Sequence, residues 1–301
     1  MLKINYMHRP ALSAITELFK PITWFPPMWA FACGVVAAGV PMAGKWPLAV
    51  LGVALAGPFV CATSQAVNDW FDRHVDAINE PQRPIPSGRM PGKWGLYIAI
   101  IWTFVSLLVA MLLGPWGFGA AALGLVLAWA YSAPPLRLKE NGWWGNAACG
   151  FSYEGIAWAT GAAVMAGGQM PGGRSLALAA LYSAGTHGIM TLNDFKAVEG
   201  DRQMGVRSLP VQLGVQKAGL VACWIMVLPQ VAVVLLLVKW GRPVHAIAVG
   251  LMLGLQLLLM DHFMASVSKR ALWYSGFGVP VFVAGMMVSA FALRGLVGAS
   301  P

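Results

Sequence analysis

The sequence predicts an all-α integral membrane protein: nine transmembrane helices around a central cavity. Three observations lead there. First, 58% of the 301 residues are hydrophobic and only 10% are charged. A water-soluble domain carries about 25% charged residues, so most of this surface cannot face water. Second, the apolar residues fall in long runs of about the 20 residues that a helix needs to cross a bilayer. Third, the Lys and Arg residues gather in the short segments between those runs, and mostly between alternate ones.

The runs cover residues 22–40, 47–67, 94–113, 115–133, 143–166, 174–192, 217–238, 243–263 and 274–297. Hydrocarbon offers no partner to a free backbone N–H or C=O, so spanning segments of this length must be helical. The strands of a membrane barrel would be shorter and would alternate in polarity. Runs three and four are parted only by Gly114-Pro115, which marks a tight hairpin. Residues 1–20 carry Lys3, Arg9, Glu17 and Lys20 and no continuous apolar core. The expectation is therefore that no leader is cleaved and that the first run remains as helix one. The whole chain, 1–301, reads as one transmembrane domain, with site loops at about 68–93 and 193–216.

Fifteen Lys and Arg residues fall on one side of this arrangement: Lys3, Arg9, Lys20, Arg73, Arg83, Arg89, Lys93, Arg137, Lys139, Lys196, Arg202, Arg207, Lys217, Lys269 and Arg270. Five fall on the other: Lys45, Arg174, Lys239, Arg242 and Arg294. The richer side is cytoplasmic by the positive-inside rule, which puts the N-terminus inside and the C-terminus outside. A formal charge of +9 can signal nucleic-acid binding. Here the charges sit in short membrane-flanking loops, so no nucleic-acid partner is expected. Cys33, Cys61, Cys149 and Cys223 have no CxxC spacing and lie in or beside apolar runs, which reads as small buried hydrophobes.

Seven of the 11 acidic residues cluster in or beside two segments: Asp69, Asp72, Asp76 and Glu80, then Asp194, Glu199 and Asp201. Asn68-Asp69 precedes Asp76 as Asn193-Asp194 precedes Asp201, with the same offset of seven. Each segment follows an even-numbered run and leads to a basic-x-x-Pro element, Arg83 to Pro86 and Arg207 to Pro210. This echo predicts two pseudo-repeat halves that meet at the cavity. Acids gathered at a membrane edge cost repulsion and desolvation, so they mark function. If helix two continues through the first segment, Asp69, Asp72 and Asp76 share one face. Hard oxygen ligands in that pattern suit Mg2+, which typically bridges one or two carboxylates to substrate phosphates. The plain alternative is solvated loop charges neutralised by nearby Arg; the repetition and the scarcity of acids elsewhere argue against it.

The stretch NDWFDRHVDAINEPQRPIPSGR (68–89) resembles the first motif, NDxxDxxxD, of the UbiA superfamily of intramembrane prenyltransferases. NDFKAVEGDRQMGVRSLPVQLG (193–214) resembles the second. Together with YSAPPLRLKENGWWGN (131–146), the wording is similar to the chlorophyll and bacteriochlorophyll synthase branch. The resemblance covers nearly the whole chain. Many members have a DxxxD second motif whose first Asp would fall at Ala197 here, which leaves the ligands of a second metal open.

The resemblance implies a UbiA-like fold and Mg2+-dependent transfer of a C20 group from geranylgeranyl or phytyl diphosphate to the propionate of (bacterio)chlorophyllide a, in a bacterial photosynthetic membrane. Membrane lipid is the other expected partner. Asn68, Asp69, Asp72 and Asp76 are expected to serve one Mg2+; Asp194, Asp201 and Glu199 a second; and Asn193 to support the second site. Asp69, Asp72, Asp194 and Asp201 are the catalytic candidates. Arg73, Lys139, Lys196 and Arg202, then Arg137, are the expected diphosphate clamps. Tyr131 matches a family tyrosine near the diphosphate, or is an interfacial anchor. Small residues at 157–168 and 278–285 could line a tail channel or simply pack helices. His187 reads more plainly as a hydrogen-bonded core histidine than as a pigment ligand. Two other readings compete: a superfamily member that prenylates a quinone-precursor ring or a haem, and a two-repeat transporter. Transporters place their sites near the bilayer midplane, whereas these acids fall at predicted helix ends.

Overall fold

The computed structural model describes residues 9–297, apart from the side chains of Asn79 and Val297. Lys3, of the charge count, lies outside these residues. The chain is helical almost throughout. The helices are α1 (Leu12–Leu18), α2 (Phe25–Ala37), α3 (Trp46–Ala54), α4 (Ala62–Asn79), α5 (Trp94–Met111), α6 (Gly114–Ser132) and α7 (Gly142–Gly150). They continue as α8 (Ala157–Met165), α9 (Gly173–Asp194), α10 (Val198–Gln203), α11 (Leu209–Leu213), α12 (Val215–Lys239), α13 (Pro243–Met264) and α14 (Val267–Val297). A π-type stretch, Leu55–Cys61, joins α3 to α4, and another, Phe151–Ile156, joins α7 to α8.

Proline and glycine set several of the ends. Pro lies in the first turn of α2, α3, α6, α11 and α13, where its missing N–H costs nothing and its fixed φ already suits a helix. α12 stops at Gly241, in the left-handed region at φ 70°. There the N–H of Arg242 reaches back to the Leu237 carbonyl, which satisfies a terminal acceptor. Pro58 removes one ladder bond inside the first π-type stretch, and the indole of Trp102 donates to the Pro58 carbonyl at 2.8 Å.

Five helical stretches are long and apolar enough to cross a membrane: Trp46–Ile78, Trp94–Met111, Val215–Lys239, Pro243–Met264 and Val267–Leu296. Large apolar side chains such as Leu108, Leu251 and Leu272 are exposed on them, a surface made for lipid rather than water. Inside, small residues bring backbones together. An added Cβ at Gly34 would lie 2.0 Å from the Trp158 carbonyl oxygen, and one at Gly161 2.2 Å from that of Phe31. α2 and α8 therefore pack at a distance only glycine permits. Buried polar groups pair across helices: Gln230 with Gln256 on α12 and α13, and Tyr182 with Ser289 at 2.8 Å on α9 and α14.

The structure departs from the expected boundaries at one important place. Run two was expected to end near residue 67, with a loop from 68. The helix instead runs to Asn79, so Asn68 to Asp76 is helical. Cations reaching in from other segments neutralise its acids, so the polar turns stay in the bundle. The 193–216 segment likewise contains α10 and α11 rather than open loop.

The five cations assigned to the charge-poor side sit at the ends of helices away from the acids. Lys45 donates to the Met165 carbonyl at 2.9 Å, and the Arg174 guanidinium lies over Trp240.

Candidate active site

The site begins on α4, where the i, i+3, i+7 spacing sets Asp69, Asp72 and Asp76 on one face. Asp69 is only 2% exposed. Its Oδ1 receives the Lys20 ammonium at 2.5 Å, with Arg83 at 3.4 Å. Arg83 also donates to Asp76 at 2.8 Å and pairs with Glu80. Asp72 takes Lys139, and Arg137 lies 3.9 Å away. Lys20 and Arg137 both hold left-handed backbone, φ 45° and 38°, a conformation that costs a non-glycine residue energy and collects at functional sites. The Asn68 amide reaches Ser132 at 3.4 Å.

The connection after α6 ties the two acidic segments together. Lys139 reaches Asp72 of the first. Three residues on, Gly142 N–H donates to the Arg207 carbonyl at 2.9 Å, and Arg207 N–H donates to the Glu140 carbonyl at 2.8 Å. A Cβ on Gly142 would meet the Leu209 nitrogen at 2.6 Å, so glycine is required for this contact. Tyr131, near the end of α6, lies within electrostatic reach of both Asp72 and Asp194, and Asp194 within reach of Asp201. Tyr131 thus stands near both acid groups, and it also lines a cavity.

Beneath Tyr131 opens an apolar cavity between α2, α3, α6, α7 and α8, with Cys61, Ser64, Cys149 and Tyr153 near its upper end. The Tyr153 hydroxyl accepts from Gln65 at 3.3 Å and lies 3.6 Å from the Cys61 thiol.

The donors of the site are mostly hard carboxylate oxygens. Two carboxylate oxygens, Asp69 Oδ2 and Asp194 Oδ2, are buried without a hydrogen-bond partner. An unpartnered buried carboxylate oxygen is costly unless a cation takes it up. No group of three His, Cys, Asp or Glu donors converges on one point among the described residues. The two unpartnered carboxylate oxygens are hard donors of the kind Mg2+ takes, with waters and substrate phosphates as its remaining ligands, and in that respect the site fits such an ion.

Burial pulls the Lys139 ammonium below the ordinary lysine range, against the opposing pull of Asp72. Burial pushes the Asp201 carboxyl above its ordinary range, with the nearby Ser208 hydroxyl acting the other way. Both are desolvation effects on a charged form.

Several expected residues stand apart. Arg73 stacks 4.2 Å over its neighbour Trp70 and donates to the Trp70 carbonyl, away from the acids. Glu199 and Arg202 pair with each other at 3.2 Å on the exposed outside of α10, and Lys196 and Asn193 are exposed too. The short helix α10 turns Glu199 and Arg202 outward and leaves Asp201 half-buried. Residues 278–285 do not line the cavity, whereas Ala157 and Thr160 do. His187 Nε2 lies 3.2 Å from the Trp143 carbonyl, and its Nδ1 is buried without a partner.

Sequence reasoning passed over Lys20, Arg83, Gln65, Tyr153 and Glu154. Arg83 was visible as the basic residue of the basic-x-x-Pro element, but its match, Arg207, is exposed and contributes backbone. Glu154 gave no cluster signal, yet it is 2% exposed inside the bundle.

A fold of membrane helices around an apolar cavity, with two acid groups near the tyrosine that lines it, defines a class. The sequence model of the UbiA prenyltransferase family matches residues 24–277, and the chain belongs to that family. It is a membrane prenyltransferase of the bacteriochlorophyll and chlorophyll synthase type. It is 55% identical to the bacteriochlorophyll synthase 33 kDa chain of Cereibacter sphaeroides, over 95% of each chain. It is 52% identical to the protein of the same name from Rhodobacter capsulatus, again over 95% of each. Among solved structures, a UbiA homolog from Archaeoglobus fulgidus bound to DMAPP and Mg2+ has the same fold: the TM-score is 0.68, at 19% identity, over 94% of this chain and 99% of that one.

Proposed function

We propose that the protein transfers a C20 isoprenyl group, geranylgeranyl or phytyl, from its diphosphate to the propionate carboxylate of (bacterio)chlorophyllide a. The products are the esterified pigment and diphosphate. The observation that carries this reading is the 137–142 connection. It delivers Lys139 to the first acid group and pairs its backbone with Arg207 of the segment that carries the second, close to Tyr131, which lines the apolar cavity. The relatives at 55% and 52% identity support the pigment acceptor. The Mg2+ and DMAPP bound to the Archaeoglobus homolog support the metal and the allylic donor.

Asn68, Asp69, Asp72 and Asp76 would hold one Mg2+, and Asp194 and Asp201 a second. When bound, the metal neutralises the diphosphate and makes it a better leaving group. Lys139, Arg137, Lys20 and Arg83 now neutralise the α4 carboxylates, and the same cations are placed to take diphosphate oxygens. As the allylic C1–O bond lengthens, its electron pair leaves with the diphosphate. A propionate oxygen then forms the new C1–O bond of the ester. No proton moves, because the propionate is already ionised at neutral pH, and no protein base is needed. The protein's part is positioning and electrostatic stabilisation.

The reading includes nine membrane crossings, with each acid group following an even-numbered rod of two related halves. The site and N-terminus face the cytoplasm and the C-terminus lies outside, in a bacterial inner or photosynthetic membrane. Residues 1–301 act as one domain.

The test is to incubate purified protein with Mg2+, geranylgeranyl diphosphate and bacteriochlorophyllide a, and to separate pigments by chromatography. An esterified pigment is expected. No ester, together with prenylation of 4-hydroxybenzoate, would move the protein to ring alkylation.

The reading also sets a pH profile, because kcat/KM reports groups of the free enzyme. Asp201 must be ionised to hold metal, and its raised pKa means the ionised form is lost as pH falls through a value above the ordinary carboxylate range. Lys139 must be charged, and its lowered pKa means the charge is lost below the ordinary lysine range as pH rises. A bell narrowed on both limbs is expected from initial rates.

A further inference from the structure

Two chambers run beneath the acid groups. The first is slender, about 80 Å³, and extends from Tyr131 and Cys149 to Gly117 and Gly52. Along α6, the 14 residues from Tyr131 to Gly117 span about 21 Å. The second is wider, about 640 Å³, and reaches Pro115, Trp116 and Leu176 at the end of the bundle away from the acids. Ala120, Ile156 and Thr160 line both chambers and mark the neck where they adjoin.

One wall of the neck is the π-type stretch Phe151–Ile156. Ser152 and Tyr153 face the first chamber; Phe151 and Gly155 face the second. Glu154 lines neither and is 2% exposed, beside Thr186 of α9, with Oε2 unpartnered. The insertion of a π-type turn into a helix is a common device at functional sites. Here it lets consecutive side chains serve opposite chambers.

Resting on the prenyl-transfer reading, we infer that the Ala120–Ile156–Thr160 neck selects the length of the donor chain. Ligand pockets usually hold about 300–1,000 Å³. The first chamber falls well short of that and the second lies within it. With the diphosphate at the acids, the proximal isoprene units occupy the first chamber. The distal units of a C20 chain pass the neck into the second. A C10 chain ends before it.

Ala120 borders this open space, so a larger side chain enters the neck instead of the helix packing. Ala120→Phe and Ala120→Leu are compared with the unaltered chain, full length and in detergent. The donors are geranyl, farnesyl and geranylgeranyl diphosphate, with bacteriochlorophyllide a fixed. In Ala120→Phe, the C20-to-C10 ratio of kcat/KM is expected to fall by about tenfold or more. Ala120→Leu should show a smaller fall in the same direction, and it alone decides the matter if the phenylalanine variant is not monodisperse. An unchanged ratio in a folded variant, or equal loss for all three donors, overturns the inference and leaves the proposed function standing. Unaltered protein that esterifies the pigment with none of the donors removes both.

Discussion

Replacing Asp69 by alanine is expected to lower kcat/KM by about 10³-fold or more, the several kcal/mol that metal-assisted stabilisation of a leaving group supplies. Asp69 is the most deeply buried acid of the site, and its Oδ2 has no protein partner. It also holds Lys20 and Arg83. The alanine variant strands those cations, and removing one partner of a buried ion pair costs about 3–5 kcal/mol of stability. Activity and folding therefore have to be separated. Asp69→Asn keeps the shape and an acceptor oxygen but not the charge. It should stay monodisperse in detergent and lose turnover to the same extent. Near-normal turnover in a folded asparagine variant would remove Asp69 from the metal site.

Lys139→Ala is expected to lower kcat/KM by about 10²-fold, in the range for loss of one preorganised electrostatic group. Lys139 joins the two acid groups, since it pairs with Asp72 from a loop whose backbone is bonded to Arg207. A cation that meets charge growing on the departing diphosphate acts mainly in the transition state, so kcat should fall and not KM alone. Lys139→Arg should recover only part of the loss, because a planar guanidinium presents its donors differently from an ammonium. By contrast, Arg202→Ala should stay close to normal, because Arg202 is exposed and paired only with Glu199. Steady-state rates at saturating and limiting donor separate these outcomes.

Much of the scaffold was legible because hydrocarbon leaves few choices. The apolar runs at 94–113, 115–133 and 243–263 meet α5, α6 and α13 within two residues, since hydropathy and a Pro-Gly boundary act locally. The end of run two was misplaced because Asn68 to Asp76 is polar, and its place in the bundle depends on Lys20, Arg83 and Lys139, which come from 7 to 67 residues away along the chain. Such pairing is invisible to any local pattern. The acids of the first group were readable from their spacing. Of their cations, Lys139 and Arg137 were named from the sequence but Lys20 and Arg83 were not, and nearness in sequence favoured Arg73, Lys196 and Arg202, which the structure turns elsewhere. Glu154 was missed for the opposite reason: a lone acid in a small-residue stretch shows no cluster, and its burial is a property of packing between helices.

In the proposed mechanism two acid groups hold one diphosphate through two metal ions. Its most direct measurement counts Mn2+, in place of Mg2+, bound to the protein with an unreactive thiolo analogue of geranylgeranyl diphosphate, by electron paramagnetic resonance. Two ions per chain are expected with the analogue present, and one in Asp194→Asn. A single ion in the unaltered protein, or a count of two that survives loss of Asp194, would contradict it.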